Sequence, residues 1–256
     1  MPQTPSALSP IPVAVIIGAS SGIGEALATR LAREGHAVAL VARRATALAR
    51  ICAALNAELG GERARAYTHD VRHYAEAPAL LQQILAELGR LDVIVYNAGV
   101  QLAVDPSEFD FEKDRAMVEV NLLGALAWLN PAAEILERLG HGSLVGISSV
   151  AGDRGRAGAP AYNASKAGLT TFLEALRNRL SRHGVTVLTV KPGFVATDML
   201  RHAPRRFWVI SAEQAAADIW AAIRSRKQVV YVPARWRLVM LVIRTIPSFL
   251  FRRIRV

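Results

Sequence analysis

Short apolar runs rich in β-branched residues recur along the chain, at Val13–Ile17, Ala37–Val41, Ala64–Tyr67, Val93–Tyr96, Ser143–Ser148, Val185–Val190 and Val229–Val232. Between them lie longer stretches with helical spacing, near residues 23–34, 45–59, 74–88, 111–138, 160–182 and 211–226. Gly35, Gly60, Gly89 and Gly140 stand where the carboxyl ends of four of these helices should be capped. Regular strand–helix alternation predicts an α/β fold, a doubly wound parallel sheet of seven strands flanked by helices and joined by right-handed crossovers. No linker divides it, so a single domain is expected over residues 13–232, preceded by an extended leader (1–12) and followed by a basic amphipathic segment (233–256).

Composition narrows this picture. A chain of 256 residues with 52% hydrophobic and 20% charged positions can bury a full core, which excludes a disordered protein. The lone Cys52 has no internal disulfide partner, suits a reducing compartment and reads as a small apolar filler. The first 12 residues hold four prolines and no basic side chain, unlike a secretory signal. The most apolar stretch, Leu238 to Phe251, is interrupted by Arg244, Thr245, Pro247 and Ser248, so no spanning helix is predicted and a cytoplasmic location is expected.

Charge is unevenly placed. Residues 1–200 carry 19 basic and 19 acidic side chains, whereas residues 201–256 carry 12 and 2, so the net +10 lies wholly in the last stretch. That argues against a nucleic-acid-binding body and for a basic appendage on a neutral core. Within the appendage, Arg237, Arg244, Ser248, Arg252 and Arg255 recur at helical spacing and leave a broad apolar face, with Pro247 breaking the helix. Such a face suits a membrane surface, and it could equally meet a subunit or cover a pocket.

Candidate chemistry begins at Gly18-Ala-Ser-Ser-Gly22-Ile-Gly24, which follows the first strand and opens the first helix. Glycines there allow a tight turn and a close backbone approach, while the helix amino end offers N–H groups and a positive dipole to a pyrophosphate. Farther on, Ser149 closes the fifth strand and Tyr162-Asn-Ala-Ser-Lys166 follows thirteen residues later. Tyrosine and lysine at i and i+4 share a helix face, so an ammonium can favour the ionised phenol and bring it towards a useful proton-transfer range. Strand alternation points Ser148 to the opposite face from Ser149. His36, His69, His73, His141, His183 and His202 show no metal-site spacing, and no metal is expected.

These motifs, in this order, resemble the short-chain dehydrogenase/reductase (SDR) family over nearly the whole chain. The resemblance implies a Rossmann fold and an oxidoreductase that moves a hydride between a nicotinamide dinucleotide and a carbonyl or secondary alcohol. It implies Asn121, Ser149, Tyr162 and Lys166 as catalytic residues: Ser149 bonds the substrate oxygen, Tyr162 transfers the proton, Lys166 tunes Tyr162 and holds the nicotinamide ribose, and Asn121 anchors a water. It further implies cofactor contacts from Gly18, Ser20, Ser21, Gly22, Ile23, Gly24, Asp70, Val71, Asn97, Ala98 and Gly99. Tyr162, Lys166, Pro192, Gly193, Val195 and Thr197 complete that set. Two positions depart from the family pattern: Ile17 stands where threonine is usual, and Tyr96 replaces an asparagine before Asn97.

At the end of the second strand, Ala42 replaces the acidic residue that would select NAD, and Arg43 and Arg44 offer guanidinium groups to a 2′-phosphate. NADP(H) is therefore the expected cofactor, with NAD(H) possible. The segment 194–210, with Phe194, Val195, Met199, Leu200, Phe207, Trp208, Val209 and Ile210 among Arg201, Arg205 and Arg206, reads as a lid for a lipophilic small-molecule substrate. Family analogy implies a homodimer or homotetramer through the helices carrying Asn121 and Tyr162. A non-catalytic redox sensor or scaffold is the alternative, which the complete set of catalytic side chains disfavours.

Overall fold

The computed structural model describes residues 11–105, 107–202 and 207–253, without the side chains of Arg201 and His202. The leader before Ile11, Arg205 and Arg206 of the expected lid, and Arg255 of the tail lie outside the described residues. Strands β1 (Val13–Ile17), β2 (Ala37–Ala42), β3 (Ala64–Thr68), β4 (Val93–Tyr96), β5 (Gly142–Ile147), β6 (Val185–Pro192) and β7 (Val229–Val232) form one sheet. Their order is β3-β2-β1-β4-β5-β6-β7 and every neighbouring pair is parallel. This is the doubly wound sheet that the alternation predicts.

Helices cover both faces because the central strands β1, β2 and β4 are apolar on both. Ala14 and Ile16 of β1 join Val38 and Leu40 of β2 beneath α1 (Gly22–Arg33), α2 (Ala45–Leu59) and α7 (Ala212–Arg224). Their alternates Val15, Ile17, Ala39 and Val41 pack against α3 (Ala77–Leu88), α5 (Gly124–Leu139) and α6 (Pro160–Leu180). Each fully buried leucine or isoleucine there stabilises the fold by roughly 1.5–3 kcal/mol. β1 lies between β2 and β4, so the winding direction reverses at the carboxyl ends of β1 and β4, where open α/β sheets leave a ligand crevice.

The helix expected over 111–138 is not continuous. It runs as α4 (Phe111–Val118), a π turn at Glu119–Leu123, and then α5. The wide turn is held from the sheet: Tyr96 Oη donates to the Val120 carbonyl, and a methyl group at Gly124 would collide with that same hydroxyl. The departure at Tyr96 thus has a local reason, since its phenol supplies a donor to a carbonyl in a stretch where the helical ladder changes step. The stretch expected at 74–88 likewise opens with a 3-10 turn at Tyr74–Glu76 before α3. At the carboxyl end, α8 (Trp236–Thr245) and α9 (Ser248–Phe251) are separated at Pro247, as its missing donor requires.

Candidate active site

The glycine turn closes tightly over β4. Gly18 has φ +88° and its N–H donates to the Val41 carbonyl (2.7 Å), while a Cβ on it would lie 2.5 Å from the Ala98 nitrogen. Asn97 Nδ2 donates to the Gly18 carbonyl (2.8 Å), and a Cβ on Gly24 would strike both groups. Only glycine fits at either place, so Asn97-Ala98-Gly99 and the turn are locked together. Gly22, at φ +58°, faces Thr197, whose methyl carbon would be 2.8 Å from an added Cβ. The segment after β6 therefore crosses to the glycine turn, and the two form the walls of one crevice.

A dinucleotide fits this crevice on local grounds. Ser21 stands at the N-cap of α1 but makes no side-chain cap bond, so the first N–H groups of the helix are left for an anion. Its hydroxyl is instead engaged by Arg44, whose Nη2 donates to Ser21 Oγ (2.6 Å) and whose Nε donates to Ser20 Oγ (3.1 Å). A guanidinium is thus set over the turn, where it can meet a phosphate. Arg43 sits 3.9 Å from Asp70, which is bound more closely by Arg72 (2.6 Å). The Arg72 hydrogen bond holds the Asp70 carboxyl down at about 2. Val71 is buried beside Gly124, and Ile23 packs partly on the core.

The candidate catalytic side chains converge on the carboxyl ends of β4, β5 and β6. Asn121, in the π turn, has no solvent exposure: its Oδ1 accepts from Val100 N–H (2.7 Å), and its Nδ2 donates to the Val100 carbonyl (2.9 Å) and Ser165 Oγ (3.0 Å). Both donors are used, and one acceptor position of Oδ1 is left. A Cβ on Gly99 would sit 3.2 Å from Lys166 Nζ and 3.3 Å from Asn121 Oδ1, so these groups face one space. Ser149 Oγ accepts from Ala151 N–H (3.0 Å) at the start of the 3-10 turn Val150–Asp153. Ser148 turns the other way and donates to the Lys166 carbonyl (2.9 Å), so it belongs to the scaffold.

Tyr162 and Lys166 sit one turn apart on α6, and Lys166 Nζ is 5.9 Å from the Tyr162 ring centre. The ammonium does not reach the phenol. It donates to the Ile147 carbonyl (2.9 Å), and burial lowers it to about 8. Burial likewise raises Tyr162 above 10, opposed by a hydrogen bond with Ser149 and by the charge of Arg156. Desolvation is the largest of these influences on the phenol, and Lys166 is not among them. Around Tyr162 the lining is apolar: Met117, Ala151, Ala159 and Ala161, with Val100, Leu102, Val104 and Met199 packed against them. Met199 Sδ lies 3.9 Å from the phenol oxygen.

Pro192 ends β6, Gly193 N–H donates to the Val232 carbonyl (2.9 Å), and Val195 bridges to Ile210. The indole of Trp236 occupies the space that a side chain at Gly193 would need. Two groups here escape motif reading. Lys191, one residue before Pro192, pairs with Asp153, and Tyr231 Oη donates to the same carboxylate (2.7 Å). A lysine inside an apolar strand is the signal for such a partner, since a buried ammonium needs one.

The fold and crevice define a dinucleotide-dependent oxidoreductase. The chain matches the short chain dehydrogenase family model over residues 12–206 and belongs to that family, whose members bind NAD(P). An uncharacterized oxidoreductase of Myxococcus xanthus is 39% identical over 189 residues, 73% of each chain. A 3-oxoacyl-[acyl-carrier-protein] reductase of Synechocystis is 36% identical over 188 residues, 73% of this chain and 75% of the relative. Among solved structures, an alcohol dehydrogenase from the archaeon Thermococcus sibiricus, complexed with 5-hydroxy-NADP, superposes with a TM-score of 0.78. It is 28% identical, and the match covers 86% of this chain and 95% of that one.

Proposed function

We propose that this protein is an NADP(H)-dependent reductase of lipophilic ketones or aldehydes, working through Tyr162. The observation that carries this reading is the convergence of Ser149, Tyr162, Lys166 and Asn121 on the crevice beneath an apolar lining. The bound dinucleotide supplies the hydride. Ser149 Oγ donates to the carbonyl oxygen, and the Tyr162 hydroxyl passes its proton to that oxygen as it becomes an alkoxide. Burial keeps Tyr162 protonated at neutral pH, which suits a proton donor. Lys166 holds the nicotinamide ribose and steadies the resulting phenolate once it turns from Ile147, and Asn121 anchors a water through the free acceptor position of Oδ1.

NADP(H) over NAD(H) is supported by Arg44 lying across Ser20 and Ser21 and by Ala42 at the acidic position. The remaining cofactor contacts are assigned to Gly18, Gly22, Ile23, Gly24, Arg43, Asp70, Val71, Asn97, Ala98 and Gly99, with Pro192, Gly193, Val195 and Thr197 opposite. In this reading residues 13–232 form the catalytic body, 194–210 its lid, and 233–256 a segment making peripheral membrane contact from the cytoplasm. Pairing with a second copy, through the helices that carry Asn121 and Tyr162, is assigned by analogy with the family.

NADPH consumption by the purified protein over ketones and aldehydes of graded size and polarity tests the reading, with Tyr162→Phe as control. Turnover on medium or long-chain ketones that falls about 10²–10⁴-fold in the control is expected. NADPH binding without turnover on any member would favour a redox sensor, and a preference for small polar sugars would remove the lipophilic assignment.

A further inference from the structure

Helices α8 and α9 have one face seated and one face bare. Trp236 and Met240 are buried against the body. The far end is held by Arg154, which donates to the Arg244 carbonyl (3.2 Å) and Ser248 Oγ (3.5 Å) and lies 4.4 Å over the Phe251 ring. Outside, Leu238, Leu241, Val242 and Phe249 are 60–70% exposed. Thr245 completes their row at helical spacing. Arg237, Arg244, Arg252 and Arg253 are exposed beside the row, and beyond Asp218 the chain has no acidic side chain.

The seated face of α8 meets the lid segment. Trp236 packs on Phe207 and Trp208, with ring centres 5.7 Å apart in both pairs, and on Phe194 at 5.8 Å. Phe207 and Trp208 are each nearly half exposed, and Arg235 lies 5.1 Å over the Trp208 ring. Trp208 has φ 55°, a strained conformation for an aromatic residue, so its position is enforced by neighbours. The bare row of α8 and α9 and the half-exposed pair Phe207 and Trp208 are thus two apolar patches with arginine beside each, the composition that sits at a lipid–water boundary.

We propose that the bare face of α8 and α9, together with Phe207 and Trp208, docks on an anionic phospholipid bilayer and sets the substrate entrance against it. The carbonyl compound is then drawn from the membrane, a step that rests on the function proposed above. A second copy of this chain fits the face less well. Symmetric pairing would bring arginines against arginines with no local carboxylate to neutralise them, whereas anionic headgroups meet both the charge and the apolar row.

Flotation of the full-length protein with phosphatidylcholine vesicles, with and without phosphatidylglycerol, tests docking without any need for turnover. The protein should float with anionic vesicles, and salt should weaken it. The variant Leu241→Asp with Val242→Asp and the variant Arg237→Glu with Arg252→Glu should each lose roughly tenfold or more in partitioning at unchanged thermal stability. Brominated lipid should quench wild-type tryptophan fluorescence, and Trp208→Phe should remove most of that quenching. Absence from the lipid fraction overturns docking, as does a wild-type dimer that the Leu241→Asp, Val242→Asp change dissociates. Docking without quenching from Trp208 overturns the placement of the entrance.

Discussion

Lys191 and Asp153 form a direct ion pair in which the two side chains are only 7% and 3% exposed. Asp153 lies at the end of the turn that begins after Ser149, and Lys191 precedes Pro192, so the pair ties together two segments that line the crevice. Removing one partner leaves the other charged and buried. Asp153→Asn is predicted to destabilise the protein by about 3–5 kcal/mol in urea unfolding, and Asp153→Asn with Lys191→Met to recover much of that loss. A double variant no more stable than the single one would mean that the stabilising contact is Tyr231 to Asp153 and not the ion pair.

The Tyr96 hydroxyl should matter to both stability and turnover. Tyr96→Phe leaves the buried Val120 carbonyl without its donor, for an expected loss of about 1–3 kcal/mol. Because Val120 adjoins Asn121 in the π turn, kcat should fall while the Kd for NADPH holds. Equal loss of both would show that the whole crevice, and not the π turn alone, had shifted.

Arg44 should read the 2′-phosphate. Arg44→Ala is predicted to raise the Kd for NADPH by roughly 10–100-fold, the value of a charge-assisted hydrogen bond, and to change that for NADH by less than about threefold. Titration of both cofactors by fluorescence checks this. Parallel weakening would assign Arg44 to shaping the turn through Ser20 and Ser21.

Lys166 makes stability depend on pH in alkali. Its folded value of about 8 lies below its ordinary 10.5, so below pH 8 both folded and unfolded chains carry the charge and the burial penalty is fully felt. Between pH 8 and 10.5 the folded protein sheds the proton first. The unfolded chain then binds more protons, and stability rises with pH. Without added cofactor, the wild type should gain up to about 3 kcal/mol relative to Lys166→Met across that window in urea unfolding. A flat difference would mean that Lys166 Nζ is solvated.

How far the sequence foretold this molecule depends on the range of each signal. β1 and β4 fall where the apolar runs begin and end, because a strand buried on both faces leaves an uninterrupted apolar stretch, and the edge strand β7 keeps its run although only Val232 is buried. Gly60, Gly89 and Gly140 do cap helices in the left-handed conformation. The candidate site was legible because its residues follow strand ends, and a parallel sheet delivers all those ends to one edge. The π turn was not, since hydropathy averages over a turn and one extra residue barely changes its period. The pairing of Asp153 with Lys191 spans separate elements and has no local signature. Nor could spacing show that Lys166 would donate to the Ile147 carbonyl and not to the Tyr162 phenol, since that carbonyl lies on another element.

The contact of Trp236 with Gly193 ties the carboxyl-terminal helices to the crevice. The family model ends at residue 206, yet an indole from well beyond that point fills the space above Gly193, next to Pro192. The tail is therefore packed into the wall of the crevice through Trp236. Exchanging it for the tail of a relative would put another side chain, or none, against that glycine. The wall of the crevice beside Pro192 and the exposed face of α8 would then change together.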